Sequence, residues 1–357
     1  VGDTVGGNQA AVLDLIQNYR VWGHLRAQIN PNQCLAQSEP SIRSQFRNLP
    51  DDSAQVSAFG FAGLKQTQLS QLIDRLEQVY CSTIGFEFAH IENLEQRLWL
   101  QEQIESRNEN TFSKSELKGF LKILAEAEVF ENQLHKTFVG QKRFSLEGGE
   151  TLMPMIKALL DRGAELDLRE MWIGMAHRGR LAVLHQICGK PVSKFFEEFE
   201  DRTQFSIFGS GDVKYHLGHE TMFPTDCGQA VRVGMAVNPS HLEFVNPVIE
   251  GMVRARQDSD FQDQPNAVLP LLLHGDAAFI GQGVVVETLN MSAVKAYDTQ
   301  GTVHIIINNQ VGFTTGPQDA RSSRYSSDFA KAIGTPVLHI NSEDVESACW
   351  AAQLAIE

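Results

Sequence analysis

The chain has 357 residues, 42% hydrophobic and 21% charged, with a net charge of −14 when histidine is neutral. That length and balance suit a globular protein of about two or three domains. They argue against nucleic acid as the main partner, because a phosphate backbone needs a basic face, and no apolar run reaches the roughly 20 residues of a membrane helix.

Residues 1–8 are rich in glycine and read as loose. From Gln9 the apolar positions Val12, Leu15, Ile16 and Tyr19 recur at helical spacing. Asn30-Pro31 is expected to end that helix, since a residue before proline avoids the α region. Residues 31–65 are polar, with scattered proline and glycine, and read as an irregular connection. Ile91, Leu94 and Leu98 mark a further helix. Ser113 and Glu116 form a capping box ahead of Leu117, Phe120, Leu121 and Leu124, which predicts a helix start there. Residues 1–140 are therefore expected to form a mainly helical region with no catalytic motif.

After Gly140 short apolar runs alternate with helical patterns. Strands are predicted at 171–175, 231–237, 269–274, 302–307 and 337–340. Helices are predicted through Leu181, Leu184 and Ile187, from Ser240 to about Arg256, through Val285, Thr288 and Leu289, and from Ser342 to the end. Phe195, Phe196 and Phe199 form a helical stripe that belongs in a core. Strands rich in Val, Leu and Ile with helices between them imply a parallel sheet, so residues 141–357 are expected to form one α/β domain. Ligands in such sheets bind at the carboxyl ends of the strands.

Five cysteines are present, and no two have C-x-x-C spacing. This fits neither a disulfide framework nor a structural zinc site and favours a reducing compartment. The chain starts at Val1 and stops at Glu357 inside an expected helix, which reads as a piece of something longer.

The most informative stretch runs from Leu269 to Gly312. A strand leads into Gly275-Asp276-Ala277, Gly281-Gln282-Gly283 opens a helix, and a second strand ends at Asn308-Asn309-Gln310-Val311-Gly312. In one β-α-β unit this places Asp276 and Asn309 side by side at one sheet edge. A carboxylate, an amide oxygen and the Val311 carbonyl suit Mg²⁺, which prefers oxygen ligands and shares them with phosphates. The amides at Gly281 and Gly283 suit a diphosphate. The plain alternative is that Asp276 caps a helix and Asn308-Asn309 form a turn. The glycine run lacks the later glycine of a dinucleotide-binding fingerprint and follows its strand too late for one.

The spacing from Gly275-Asp276 to Asn308-Asn309 resembles the thiamine-diphosphate motif, with Ala277 in place of its usual third glycine. Further motifs occur in order: Gly174-Met175-Ala176-His177-Arg178-Gly179-Arg180, Gly211-Asp212-Val213-Lys214-Tyr215-His216-Leu217-Gly218 and Asn238-Pro239-Ser240-His241-Leu242-Glu243. With His274–Phe279 and Asn308–Thr315 they make the chain similar to the E1 components of 2-oxoglutarate dehydrogenase complexes, most strongly from Met171 onward. In that family the alanine after Gly-Asp is usual.

The resemblance implies a thiamine-diphosphate-binding fold. It implies Asp276, Asn309 and Val311 as Mg²⁺ ligands, with Ala277 beside them, and Arg178 on the cofactor diphosphate. His177 and His216 would face the substrate. His241 lies in a signature stretch, although Ser240 and Glu243 also read as a capping box that leaves it exposed. The implied reaction decarboxylates 2-oxoglutarate on thiamine diphosphate and passes the succinyl group to the lipoyl arm of the E2 succinyltransferase, in a complex with E3. The implied protein is a homodimer, cytoplasmic in a bacterium or in the mitochondrial matrix of a eukaryote, and its pyrimidine-binding half would follow residue 357. Residues 1–357 alone are expected to bind Mg²⁺-diphosphate weakly and not to turn over.

A 2-oxoadipate-preferring relative, another transketolase-like enzyme and a non-catalytic assembly subunit are the alternatives. Glu220 stands where the family often has a small polar residue. A carboxylate there repels a dicarboxylate unless it points away.

Overall fold

The stripe Val12, Leu15, Ile16 and Tyr19 has no residual exposure. It lies on α1 (Gly2–Trp22), which starts ahead of Gln9 because extending a formed helix needs no new nucleus. The helix ends at Trp22, before Asn30-Pro31, and a 3₁₀ turn follows at Gly23–Leu25. A Cβ on Gly23 would stand 2.6 Å from the Tyr80 Cβ, so only glycine allows this close approach.

The computed structural model describes residues 2–31, 41–46, 48–107, 111–200 and 216–357. They divide into two units, Val1–Ser113 with Ala330–Ala351, and Lys114–Phe329 with Ala352–Glu357. The expected boundary at 140/141 does not coincide with this division. The helix with the expected start near Ser113 opens the second unit, and the chain returns to the first near its end.

In the first unit the expected irregular connection contains a hairpin, β1 (Gln55–Ser57) antiparallel to β2 (Gln66–Gln68). Strands of three residues are too short to show alternation. The amphipathic α2 (Leu69–Tyr80) buries Leu69, Leu72, Ile73, Leu76 and Val79. Strand β3 (Ile84–Glu87) is buried throughout, and α3 (Leu94–Ser106) is capped by Asn93, whose side chain accepts from the Gln96 amide. The returning strand at 337–340, expected in the parallel sheet, pairs antiparallel with β3 instead; an apolar run does not encode its partner.

Buried charges here are matched. Arg20 donates to both Glu105 oxygens, and Glu105 Oε1 also accepts from the Tyr80 hydroxyl. Glu87 pairs with Lys331 Nζ and His339 Nε2, each at 2.7 Å, and lies 3.7 Å from His24 Nε2. These partners outweigh its desolvation and hold its pKa at about 2. His24, Glu87 and His339 bring their ligand atoms within 4.8 Å of one another, but the Lys331 ammonium already occupies the carboxylate.

The second unit opens with α4 (Lys114–Thr137) and α5 (Leu152–Glu165). Its sheet has five strands in the order β5 (His219–Pro224), β6 (Ala230–Met235), β4 (Glu170–Met175), β7 (Val268–Gly275) and β8 (Val303–Ile307). The pairs β6–β4, β4–β7 and β7–β8 are parallel. Strand β5 is an antiparallel edge. Its residues alternate between half-buried and exposed, and their polarity hid it from the apolar-run criterion.

Alternate residues serve opposite faces. Met171, Ile173, Met175, Leu271 and Leu273 join the core with α5, α6 (Arg180–Gln186) and α7 (Val192–Phe199), where Phe195 and Phe199 are buried. Trp172 and Leu272 face α8 (Val245–Asp260). Because three pairs are parallel, the carboxyl ends of β6, β4, β7 and β8 line one edge. Among the described residues no helix is long and apolar enough to cross a membrane, and four cysteines are free thiols.

Candidate functional site

At that edge Gly275 of β7 pairs with Ile307 of β8. Asp276 therefore sits one residue past the ladder and Asn309 two residues past it, on neighbouring strands. Asp276 is buried and opens the short helix α9 (Asp276–Gly281). Its Oδ2 accepts from Arg321 Nη1 at 3.2 Å. Burial raises the carboxyl pKa, and the guanidinium pulls against that rise.

Beyond β8 the chain turns sharply. Asn308 Oδ1 accepts from the Gln310 amide and Asn309 Oδ1 from the Val311 amide. This is the turn of the plain alternative, but an amide oxygen has a second lone pair for a cation. A Cβ on Gly312 would lie 2.8 Å from the Ala277 Cβ, so the 309–312 loop packs directly on the start of α9. Asp276, Ala277, Asn309 and Val311 are thus brought together. Their donor set is all oxygen, which fits a hard divalent cation, while the Arg321 guanidinium now balances the carboxylate.

The expected diphosphate turn differs. α9 intervenes between the strand and Gly281-Gln282-Gly283, and the Gln282 amide is spent on the Ala278 carbonyl. Gly283 opens α10 (Gly283–Met291), and a Cβ on either glycine would meet nothing within 4 Å. The two glycines punctuate two helices; periodicity shows a helix but not a break inside it.

The end of β4 carries the second group. Ala176 donates its amide to Leu273 of β7 at 3.1 Å, which keeps the two strand ends adjacent. Gly179 has φ +75°, and its amide donates to the Phe144 carbonyl. The His177 ring stacks on the His216 ring with centroids 5.2 Å apart and planes at 26°, and lies 5.2 Å from the Phe144 ring. His216 is buried, and its Nε2 is 3.4 Å from Ser240 Oγ. Burial, aided by His216 and Arg180, lowers the His177 pKa from 6.5 to about 4, so its imidazole is neutral near pH 7. The motif positions 211–215 ahead of His216 lie outside the described residues.

Arg178 is exposed and donates to the Ser145 carbonyl at 2.9 Å. His241 follows Ser240, whose Oγ lies 3.4 Å from His216 Nε2; its own ring is exposed against Phe244, with centroids 5.8 Å apart. The capping box expected there does not form. Glu243 is buried with φ +70°, the helix begins at Val245, and the carboxylate accepts from Asn246 Nδ2 and meets His274 Nδ1. Glu220 pairs with Arg232 on the exposed sheet edge.

Sequence reasoning passed over two buried groups. Arg180 has no residual exposure and donates to the carbonyls of Met175, His216, Leu217 and Ala236. It ties the ends of β4 and β6 to the His216 segment, and burial lowers its pKa to about 10. His274 Nε2 lies 3.0 Å from His304 Nδ1, which extends the Glu243 contact into a chain of three groups beneath the strand tips. Burial and the neighbouring His274 push the His304 pKa down to about 3. For His274 and His304 the signal was a polar residue inside an apolar strand run; Arg180 gave no comparable signal.

The sequence model of the family described as dehydrogenase E1 component matches residues 124–357. The chain is 47% identical over 365 residues to a Multifunctional 2-oxoglutarate metabolism enzyme of Mycolicibacterium vanbaalenii, covering 99% of this chain and 29% of that protein. It is 44% identical over 356 residues to a 2-oxoglutarate dehydrogenase E1/E2 component of Corynebacterium glutamicum, covering 97% of this chain and 29% of that one. The chain therefore spans under a third of the length of these relatives.

Proposed function

The chain belongs to the dehydrogenase E1 component family, and on that premise we propose that it carries the diphosphate- and Mg²⁺-binding part of a 2-oxoglutarate dehydrogenase E1. The names of its relatives support 2-oxoglutarate as substrate. The observation that carries the reading is the closure of the 309–312 loop onto the Asp276–Ala277 turn at the carboxyl edge of a parallel sheet.

Asp276 and Asn309 would hold Mg²⁺ through side-chain oxygens, Val311 would add its carbonyl, and Arg178, close in sequence to the β4 tip, would serve the diphosphate. Bound thiamine diphosphate supplies the electron sink for decarboxylation. His177 and His216 orient the 2-oxo acid. The neutral His177 imidazole can donate at one nitrogen and accept at the other, as proton handling near neutrality requires. His241 would join them from its exposed position next to Ser240, which lies 3.4 Å from His216 Nε2. With Glu220 turned to Arg232, it does not oppose a dicarboxylate.

The succinyl group then goes to a lipoyl arm. The E1/E2 name of the Corynebacterium relative supports an E2 function on the same polypeptide. E3 completes the complex, the active enzyme is a homodimer, and the bacterial relatives favour the cytoplasm. Rates of the full-length enzyme on 2-oxoglutarate and 2-oxoadipate test the assignment. Preference for the former supports it, and preference for the latter moves it to the longer acid.

A further inference from the structure

Arg321 follows α11 (Pro317–Ala320) in extended conformation, and its amide is anchored on the Pro317 carbonyl. Its side chain is only 7% exposed, with Nη1 3.2 Å from Asp276 Oδ2. Its Nε is buried and has no hydrogen-bond partner among the described residues. The guanidinium is thus held in the interior by one strong contact, the carboxylate that the proposed function gives to a metal ion. A guanidinium cannot shed its charge at any ordinary pH, and a divalent cation cannot share a buried carboxylate with it without strong repulsion. The two cations therefore compete for the carboxylate.

We propose that Arg321 is a resident counter-ion that keeps the Asp276 seat filled in the metal-free protein and must swing away when a divalent cation enters. This rests on the reading of Asp276 as a metal ligand. The pairing removes the cost of an uncompensated buried carboxylate. It also makes the seat selective against free metal, because an ion that brings further ligands competes better with this buried pair. A cation arriving with a diphosphate does so. The displaced guanidinium then has phosphate oxygens to pair with, the geometry that arginine matches best.

The test is Mn²⁺ binding to the full-length protein without cofactor, followed by electron paramagnetic resonance of the free ion. Arg321→Gln is expected to bind Mn²⁺ roughly tenfold or more tightly than the native protein, as removal of a competing ion pair requires. Arg321→Lys, which keeps the charge, is expected to stay weak. Thermal melting with and without Mn²⁺ runs in parallel and guards against a folding defect. The Mn²⁺-induced rise in melting temperature is expected to be larger in Arg321→Gln than in the native protein. Equal or weaker binding in Arg321→Gln, with Asp276→Ala still abolishing it, overturns the counter-ion role alone. Binding that is indifferent to Asp276→Ala in every background overturns the metal reading itself and this inference with it.

Discussion

The rings of His177 and His216 lie stacked with centroids 5.2 Å apart. Two imidazoles this close disfavour a second positive charge, which joins burial in keeping His177 neutral. Replacing either ring by alanine in the full-length enzyme is expected to lower kcat by roughly 10²–10⁴-fold, the range for loss of a positioned acid–base group. Affinity for thiamine diphosphate should change little. Steady-state kinetics with cofactor titration separates the two effects.

The lowered His177 pKa also has a stability consequence. The unfolded chain takes up a proton near pH 6.5 and the folded one only near 4, so the unfolded state binds more protons between these values. This contribution to stability is complete above pH 6.5 and is lost as pH falls toward 4. His177→Gln is expected to flatten the fall in melting temperature across that window relative to the native protein.

Glu131 has the opposite sign. It is buried on α4, it accepts from the Leu146 amide, and burial raises its pKa from 4.5 to about 7. Here the folded state binds more protons between pH 4.5 and 7, so stability drops as pH rises through that range. The deprotonated group costs on the order of 3 kcal/mol at pH 8. Glu131→Gln should remove most of the difference in unfolding free energy between pH 5 and 8, as read from urea titrations at both values.

Much of the fold could be read in advance because its strands are apolar runs buried on both faces. The β4, β6, β7 and β8 ranges were visible for that reason. The partner of the strand at Val337–Ile340 was not, since that run is as apolar as a central strand yet pairs with β3. Strand β5 was invisible because His219, Glu220 and Thr221 leave it no apolar run. Of the site, Asp276 and the Asn309 loop were legible through the spacing of a β-α-β unit. Glu243 was misread because Ser-x-x-Glu is a local pattern, whereas its contact with His274 spans 31 positions and depends on a positive φ. Arg180 looked like one more charge in a basic motif. Only the converging carbonyls of three segments reveal why it is buried.

Arg180 offers a direct test of that convergence. Arg180→Met is expected to cost about 3 kcal/mol of stability, because it strips hydrogen bonds from buried carbonyls. Arg180→Lys should recover only part of it, since one ammonium cannot match the reach of the fork. Urea unfolding midpoints give the values.

Gly312 tests loop closure without touching a ligand. A side chain there meets Ala277 at 2.8 Å, so Gly312→Val should push the 309–312 loop off α9. Mg²⁺-dependent cofactor affinity is expected to fall about tenfold or more, with a melting temperature close to native. An unchanged affinity would mean that the loop position is irrelevant to binding.

The central claim is that Asp276 and Asn309 would together hold the divalent ion on which diphosphate binding depends. Calorimetric titration of the full-length protein with thiamine diphosphate, with and without Mg²⁺, measures this most directly. Tight binding is predicted only with Mg²⁺ in the native protein, and Asp276→Ala or Asn309→Ala should abolish the Mg²⁺-dependent heat while leaving the circular dichroism spectrum intact. Native-like, Mg²⁺-dependent binding by folded Asp276→Ala would contradict the account.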